Sequence, residues 1–272
     1  MKKWILGTLC LLSCIGLMAQ GRVSTRSYLL ADFPDKVTKV VLSGDDFLCS
    51  ALRQEVVTRW TASPFEFCTD MEYEALKQSS DYYFLAPLAT RFKGEPEPGI
   101  VFLCLYKGET EIISLPLVAA DGGNGRELVY VGPLVKAIQD YTLSAMESEK
   151  TAYTREAWFN ANYTSQGRMM QIYMATDDVS VSVTDNQLQG FLDDDFHLCS
   201  TEEADERFLS YAFNTLVSYT VAPVDPTAGS YSYQLLFESG TGTLFYISRH
   251  RIRPKTLPGF VTDDLKWLSK RR

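Results

Sequence analysis

One sentence pattern of side chains occurs twice in this chain, and the repetition constrains the fold more than any single motif. Phe65-Glu66-Phe67-Cys68-Thr69 is matched by Phe196-His197-Leu198-Cys199-Ser200, and each run leads into an acid-rich helical segment, 70–78 or 201–211. Tyr83-Phe84-Leu85-Ala86-Pro87 is matched in turn by Tyr219-Thr220-Val221-Ala222-Pro223. After each comes a Pro/Gly loop and then two strand-like runs joined tightly, 100–118 and 231–249. Recurrence of these features in one order marks an internal duplication.

The first copy begins with a β-branched run, 36–42, stopped by Ser43-Gly44. Phe47, Leu48, Ala51, Leu52, Val56 and Trp60 then recur at helical spacing. The acids Asp45 and Asp46 ahead of them suit the positive end of a helix dipole. Pro64 breaks this helix, and Thr69 with Glu72 forms a capping box for the next one. Residues 81–88 read as a third strand, 93–99 as a polar loop, and Lys107-Gly108-Glu109-Thr110 as a hairpin turn. In the second copy, Val179, Val181 and Val183 alternate with serines, which predicts a strand over 178–184. Residues 169–175 then read as an additional strand, and 185–192 as a short helix. Between the copies lie the loop Asp121-Gly122-Gly123-Asn124-Gly125, a helix over 126–147 kinked at Gly132-Pro133, and a further helical stretch, 148–167. A short helix over 262–270 follows Pro258-Gly259. Each copy therefore reads β-α-β-α-β-hairpin, and the expected fold is α/β: two related halves with mixed sheets covered by helices.

The N-terminus supplies a compartment. Lys2 and Lys3 precede an uncharged apolar run from Trp4 to Met18 that ends at Ala19. This is the layout of an export signal, and the run is short of the roughly twenty residues a membrane span needs. Leu11-Leu12-Ser13-Cys14 offers a competing lipoprotein box with Cys14 as the lipidated residue, which Leu12 and the apolar residues past the cysteine disfavour. The expected organisation is a signal peptide, 1–19; a first α/β half, 20–121; a helical connector, 122–168; a second half, 169–256; and a C-terminal helix and tail, 257–272. No membrane-spanning segment is expected once the signal is removed.

Charge and composition narrow the chemistry. With 34 acids against 26 bases, the chain is a poor nucleic-acid binder, because phosphate neutralisation needs clustered cations. Cys49, Cys68, Cys104 and Cys199 each sit among apolar neighbours without C-x-x-C spacing, as small core residues do. The loop Gly122 to Gly125, with Arg126 beside it, has anion-cradling composition but neither P-loop nor dinucleotide spacing, so it reads as a connector. The acids Asp45-Asp46, Asp177-Asp178, Asp193-Asp194-Asp195 and Asp263-Asp264 fall mostly at helix ends or turns, where capping accounts for them. His197 and His250 belong to no metal-ligand or nucleophile pattern. Tyr28, Tyr82, Tyr83, Tyr219, Tyr231 and Tyr233 can supply a stacking surface or simply strand and core positions. One basic cluster stands out on the acidic chain: Arg249, His250, Arg251, Arg253 and Lys255. It is the candidate contact for an anionic partner, with a charged strand edge as the alternative.

The order of elements, the loop before the hairpin and the Ala51-Leu52-Arg53-Gln54-Glu55-Val56-Val57 stretch resemble the TolB N-terminal module and the related curli-secretion-channel and penicillin-binding-protein-activator lipoproteins. The likeness covers 37–118 and, less closely, 178–249. The Lys-Lys start, the Ala19-Gln20 end and the opening Tyr28-Leu29-Leu30-Ala31-Asp32-Phe33-Pro34-Asp35 also resemble exported envelope proteins of Gram-negative anaerobes, a family that brings no activity with it. These resemblances imply a periplasmic or envelope location. No catalytic set, cofactor motif or metal-ligand spacing is present in the sequence. The expected function is therefore a non-enzymatic envelope interaction or scaffold protein whose partner is another envelope protein. Two alternatives place a site in the cleft between the halves. One is a hydrolase of an envelope or dietary polymer, with Asp45 or Asp46 converging on Asp177 or Asp178 within about 10 Å. The other is a small-ligand-binding protein with an apolar pocket.

Overall fold

The computed structural model describes residues 23–270 apart from Asp45 and Ala228. The expected signal peptide with Cys14, and Asp45 of the first acidic pair, lie outside the described residues. The first half runs β1 (Thr38–Val41), α1 (Phe47–Arg59), β2 (Phe65–Cys68), α2 (Asp70–Leu76), β3 (Tyr83–Thr90), β4 (Ile100–Lys107) and β5 (Thr110–Ala119). Its sheet has the order β2-β1-β3-β4-β5, parallel among the first three strands and antiparallel thereafter. The local signals act as expected. Asp46 accepts the Cys49 amide at 2.7 Å and starts α1, and Thr69 and Glu72 cap α2 reciprocally.

Three helices follow: α3 (Glu127–Glu147), a single turn α4 (Glu149–Ala152) and α5 (Ala157–Ser165). The second half then runs β6 (Gln171–Ala175), α6 (Asp185–Gln189), β7 (Phe196–Cys199), α7 (Thr201–Leu209), β8 (Thr215–Val221), β9 (Tyr231–Glu238) and β10 (Leu244–Arg251), and α8 (Thr262–Leu268) closes the chain. Its sheet order, β7-β6-β8-β9-β10, repeats the first half strand for strand. The α/β fold with two similar halves stands.

The registers make the two halves comparable residue by residue. Val41 pairs with Cys68 as Ala175 pairs with Cys199, so the two Cys-Thr/Ser motifs are equivalent. The hairpins carry the same bulge: the register slips between Leu105 and Tyr106 opposite β5, and at the matching step, Leu244 to Tyr246, opposite β9. A hydrogen bond recurs with its chemistry exchanged. Ser43 donates its hydroxyl to Asp70 at 2.8 Å, while at the equivalent places Thr201 donates to Asp177 at 3.1 Å.

Three expectations are corrected. Residues 178–184 form no strand. A 3-10 turn, Thr176–Asp178, leads into a loop held by the C-terminal segment: Phe260 donates to the Asp178 carbonyl at 2.7 Å, and Ser180 donates to that of Phe260 at 3.0 Å. The Val/Ser alternation arises because Val183 turns into the core while Val181 stays exposed. Second, the strand within 169–175 is no addition; it is β6, the central strand equivalent to β1. Third, the Tyr-x-x-Ala-Pro matches are out of register. Thr38 pairs with Tyr83 and Ile172 with Leu216, so Tyr83 is the counterpart of Leu216 and not of Tyr219.

The halves share a core. The rings of Phe102 and Tyr233, which occupy equivalent strand positions, meet edge to face at 5.4 Å. Tyr219 donates its hydroxyl to the Leu117 carbonyl at 2.6 Å. Helix α3 packs along α1 so closely that a Cβ at Gly132 would collide with Glu55. Its N-terminal Tyr130 stacks on Tyr219 of the other half at 4.2 Å. The segment expected as a connector is thus part of the shared interior, and α8 buries Leu265 and Leu268 against the second sheet.

Candidate functional site

Where the two cores meet, the Pro/Gly loops of the two halves also meet, and a pocket opens between them. Residues 91–99 join β3 to β4, and 222–230 join β8 to β9. Gly229, at φ 125°, lies backbone to backbone against Lys93, whose carbonyl any Cβ there would strike. The pocket encloses about 470 Å³. Arg91, Phe92, Lys93 and Gly94 line it from the first half, and Gly229, Tyr231 and Arg251 from the second. Phe92 packs on Tyr231 at 4.9 Å and on Phe102 at 6.1 Å, so the wall is continuous with the aromatic core beneath it.

Three cations line this pocket and no carboxylate does. Arg91 spends one N–H on the Pro96 carbonyl at 3.5 Å, and among the described residues no ion pair engages Arg91, Lys93 or Arg251. The neighbouring acid, Glu95, is folded under its own loop, where one carboxylate oxygen accepts the Phe92 amide at 2.8 Å. Its other oxygen is buried toward Gly99 without a hydrogen-bond partner in the protein. The arrangement concentrates positive charge at the seam of a chain with an excess of acids, which is what attraction of an anionic group requires.

Of the five residues singled out by sequence, the fold brings Arg251 into this pocket. Arg249 lies over the Tyr231 ring at 5.7 Å and reaches Glu156 at 4.0 Å, so it buttresses the wall. His250 meets the Leu257 carbonyl at 3.1 Å through Nε2. Arg253 and Lys255 sit exposed on the turn closed by the Arg253–Thr256 bridge and do not line the pocket. Sequence reasoning missed Arg91 and Lys93. The signal for them was the recurring order of elements, which places the loop after β3 and the loop after β8 in equivalent positions.

Other candidates resolve into structure. Two amides at the Gly122 to Gly125 loop are spent on neighbouring side chains and not on an anion: Gly125 donates to Glu127 at 3.0 Å and Arg126 to Asn124 at 3.2 Å. The loop delivers Arg126 inward instead. The guanidinium bonds Asp178 at 2.8 Å, Asp205 at 2.8 Å and the Ser218 carbonyl at 2.7 Å. Open α/β sheets bind ligands at the carboxyl ends of their strands, where the strand order reverses. In the second half that place, beside β6 and β8, is filled by Arg126. Burial works against its charge, but Asp178 and the other acceptors hold its pKa above the usual guanidinium value. Burial also raises the Asp205 pKa despite Arg126.

The remaining acids are engaged separately. Asp46 caps α1, Asp177 takes the Thr201 hydroxyl, and Asp178 belongs to the Arg126 network, so none of the three shares a hydrogen-bond partner with another. Asp264 accepts from Tyr246 and Ser248 and caps α8. The tyrosines form no common stacking surface, since Tyr83, Tyr219 and Tyr233 are buried while Tyr28 is exposed. His197 stacks on Tyr173 at 4.9 Å. The four cysteines are free and buried, and desolvation pushes the thiols of Cys68 and Cys199 up to about 11, far from nucleophilic use at neutral pH. A larger hollow of about 730 Å³ between α5 and α8 is lined by Ala157, Ala161, Tyr246 and Trp267 among others, and its one buried acid is Asp264, already engaged by Tyr246. Among the described residues no helix is long and apolar enough to cross a membrane. In comparison with known proteins, the chain matches no family model, no curated protein and no solved structure.

Proposed function

We propose that this is an exported envelope interaction protein that engages its partner by taking an anionic group into the pocket at the seam of its two halves. The export-type N-terminus supports the location, and the likeness to envelope proteins supports the role. The observation that carries the reading is the convergence of Arg91, Lys93 and Arg251, from opposite halves, around one hollow without a lining carboxylate. Binding, not bond-breaking, is the act this geometry suits, because cations at the pocket attract and orient while no paired acid and base faces them.

In-cell crosslinking of the tagged, exported chain, followed by mass spectrometry, tests this. One dominant envelope protein should be captured, and it should be lost when Arg91 and Arg251 are both changed to alanine. Changing Arg253 and Lys255 on the adjacent turn should leave the capture intact. Persistence of the same partner in the Arg91/Arg251 variant, or recovery of self-crosslinks only, rejects the proposal.

A further inference from the structure

The seam pocket has a composition that distinguishes among anions. We infer that it binds a phosphoryl group carried on a small polar body, that is, a phosphate monoester; this rests on the pocket being the binding site proposed above. Two guanidiniums and one ammonium face the hollow, one guanidinium from the second half and the other two cations from the first. Together they present many more N–H donors than the two oxygens of a carboxylate can accept. A single carboxylate would also leave most of the positive charge uncompensated. A phosphate monoester brings roughly two negative charges at neutral pH and several strong acceptor oxygens arranged around one atom, which suits donors approaching from two sides. Arginine is the side chain whose planar fork grips phosphate through paired hydrogen bonds, and the pocket is lined by Arg91 from one half and Arg251 from the other.

The size of the hollow extends the assignment from the anion to its carrier. Its roughly 470 Å³ falls in the range of clefts that take small organic ligands and far exceeds the needs of a bare ion. The rest of the lining is supplied by Phe92, Tyr231 and the backbone of Gly94 and Gly229. Both glycines have positive φ, 103° and 125°, so main chain and not side chain borders the space beside the cations. A polar carrier, such as a sugar, offers hydroxyls that can bond this bordering main chain, which an apolar carrier lacks.

Calorimetric titration of the full exported chain at low salt, with glucose 6-phosphate, inorganic phosphate, glucose and octaglutamate as probes, decides the matter. Glucose 6-phosphate should bind, more tightly than inorganic phosphate, and glucose should not. Arg91→Ala and Arg251→Ala should each weaken it by about tenfold or more, while Arg253→Ala should change it by less than about twofold. Both pocket arginines are exposed, so the variants should keep the wild-type melting profile. Inorganic phosphate binding as tightly as the ester overturns the monoester assignment. Octaglutamate binding through Arg91 and Arg251 while both phosphate probes fail overturns the phosphoryl assignment and leaves the pocket as a carboxylate-reading partner site. Failure of every anion with a folded chain removes this inference and the proposed site together.

Discussion

At the scale of single residues, charges in this protein divide into those tied down and those left to act. Asp32 shows the first kind. It lies in the Tyr28-to-Asp35 opening, whose Leu30 and Phe33 are fully buried. Its carboxylate accepts from Lys107 at 2.6 Å and Tyr83 at 2.8 Å, and pairs with Lys36 at 3.1 Å. Partial burial pulls the Asp32 pKa upward, but Lys107, Tyr83 and Lys36 outweigh it and hold the carboxyl well below the ordinary range. A carboxyl depressed in the folded state binds its proton more readily when unfolded. Its contribution is therefore complete above the unfolded pKa of about 3.9 and is lost as pH falls below that. Urea unfolding at pH 7 and at pH 3.5 should show a larger fall in midpoint for the wild type than for Asp32→Asn; equal falls would contradict the assignment. Arg91, Lys93 and Arg251 show the second kind, and nothing in their local sequence separates them from the paired cations. Sequence exposed Arg251 because it sits in a dense basic run, whereas Arg91 and Lys93 became visible only once the fold set their loop against it.

Elements follow the sequence where a local signal is sufficient and depart from it where a distant partner decides. The Thr69–Glu72 box was legible because a cap is satisfied within one turn. The Val/Ser alternation at 179–183 misled because the hydrogen bonds that hold it come from Phe260 and Leu257, far along the chain. The three-residue slip between the Tyr-Ala-Pro motifs has the same origin, since register is set by the partner strand and not by the motif. The edge of the second sheet gives a prediction of this kind. Strand β10 is an edge, and α5 covers it with side chains acting as a substitute strand. Asn160 accepts the Ile247 amide at 2.8 Å and donates to the Ile247 carbonyl at 3.0 Å, while Asn162 donates to the Leu244 carbonyl at 2.9 Å. Asn160→Ala leaves both Ile247 backbone groups without partners, at a cost of about 1–3 kcal/mol. Chemical denaturation should register that loss; a change below about 0.5 kcal/mol would mean that the edge is held by packing alone.

The whole molecule joins two similar halves into a body that neither half completes. The similarity of the halves was legible because its strongest marks, the Cys-Thr/Ser strand ends and the hairpins, are local. The joining was not, because it depends on α3 and on surfaces that meet only in the fold. Helix α3 packs along α1 of the first half, and Arg126 at its start enters the second half to pair with Asp178 and Asp205, with side-chain exposures of 7% for the arginine and 3% for Asp178. One hydrophobic cluster runs from Val40 and Phe102 through Tyr130 to Tyr219 and Tyr233. Separation of the halves would expose all of these at once, so they should unfold together. Differential scanning calorimetry of the purified chain should give one transition whose van't Hoff and calorimetric enthalpies agree, and two resolved transitions would refute the shared core. Arg126→Ala sharpens the test. Removing the guanidinium strands the buried Asp178 carboxylate, which should cost about 3–5 kcal/mol. Because Arg126 links α3 to the second half, the loss should lower the single transition as a whole, and a variant that splits it would show that this one arginine couples the halves.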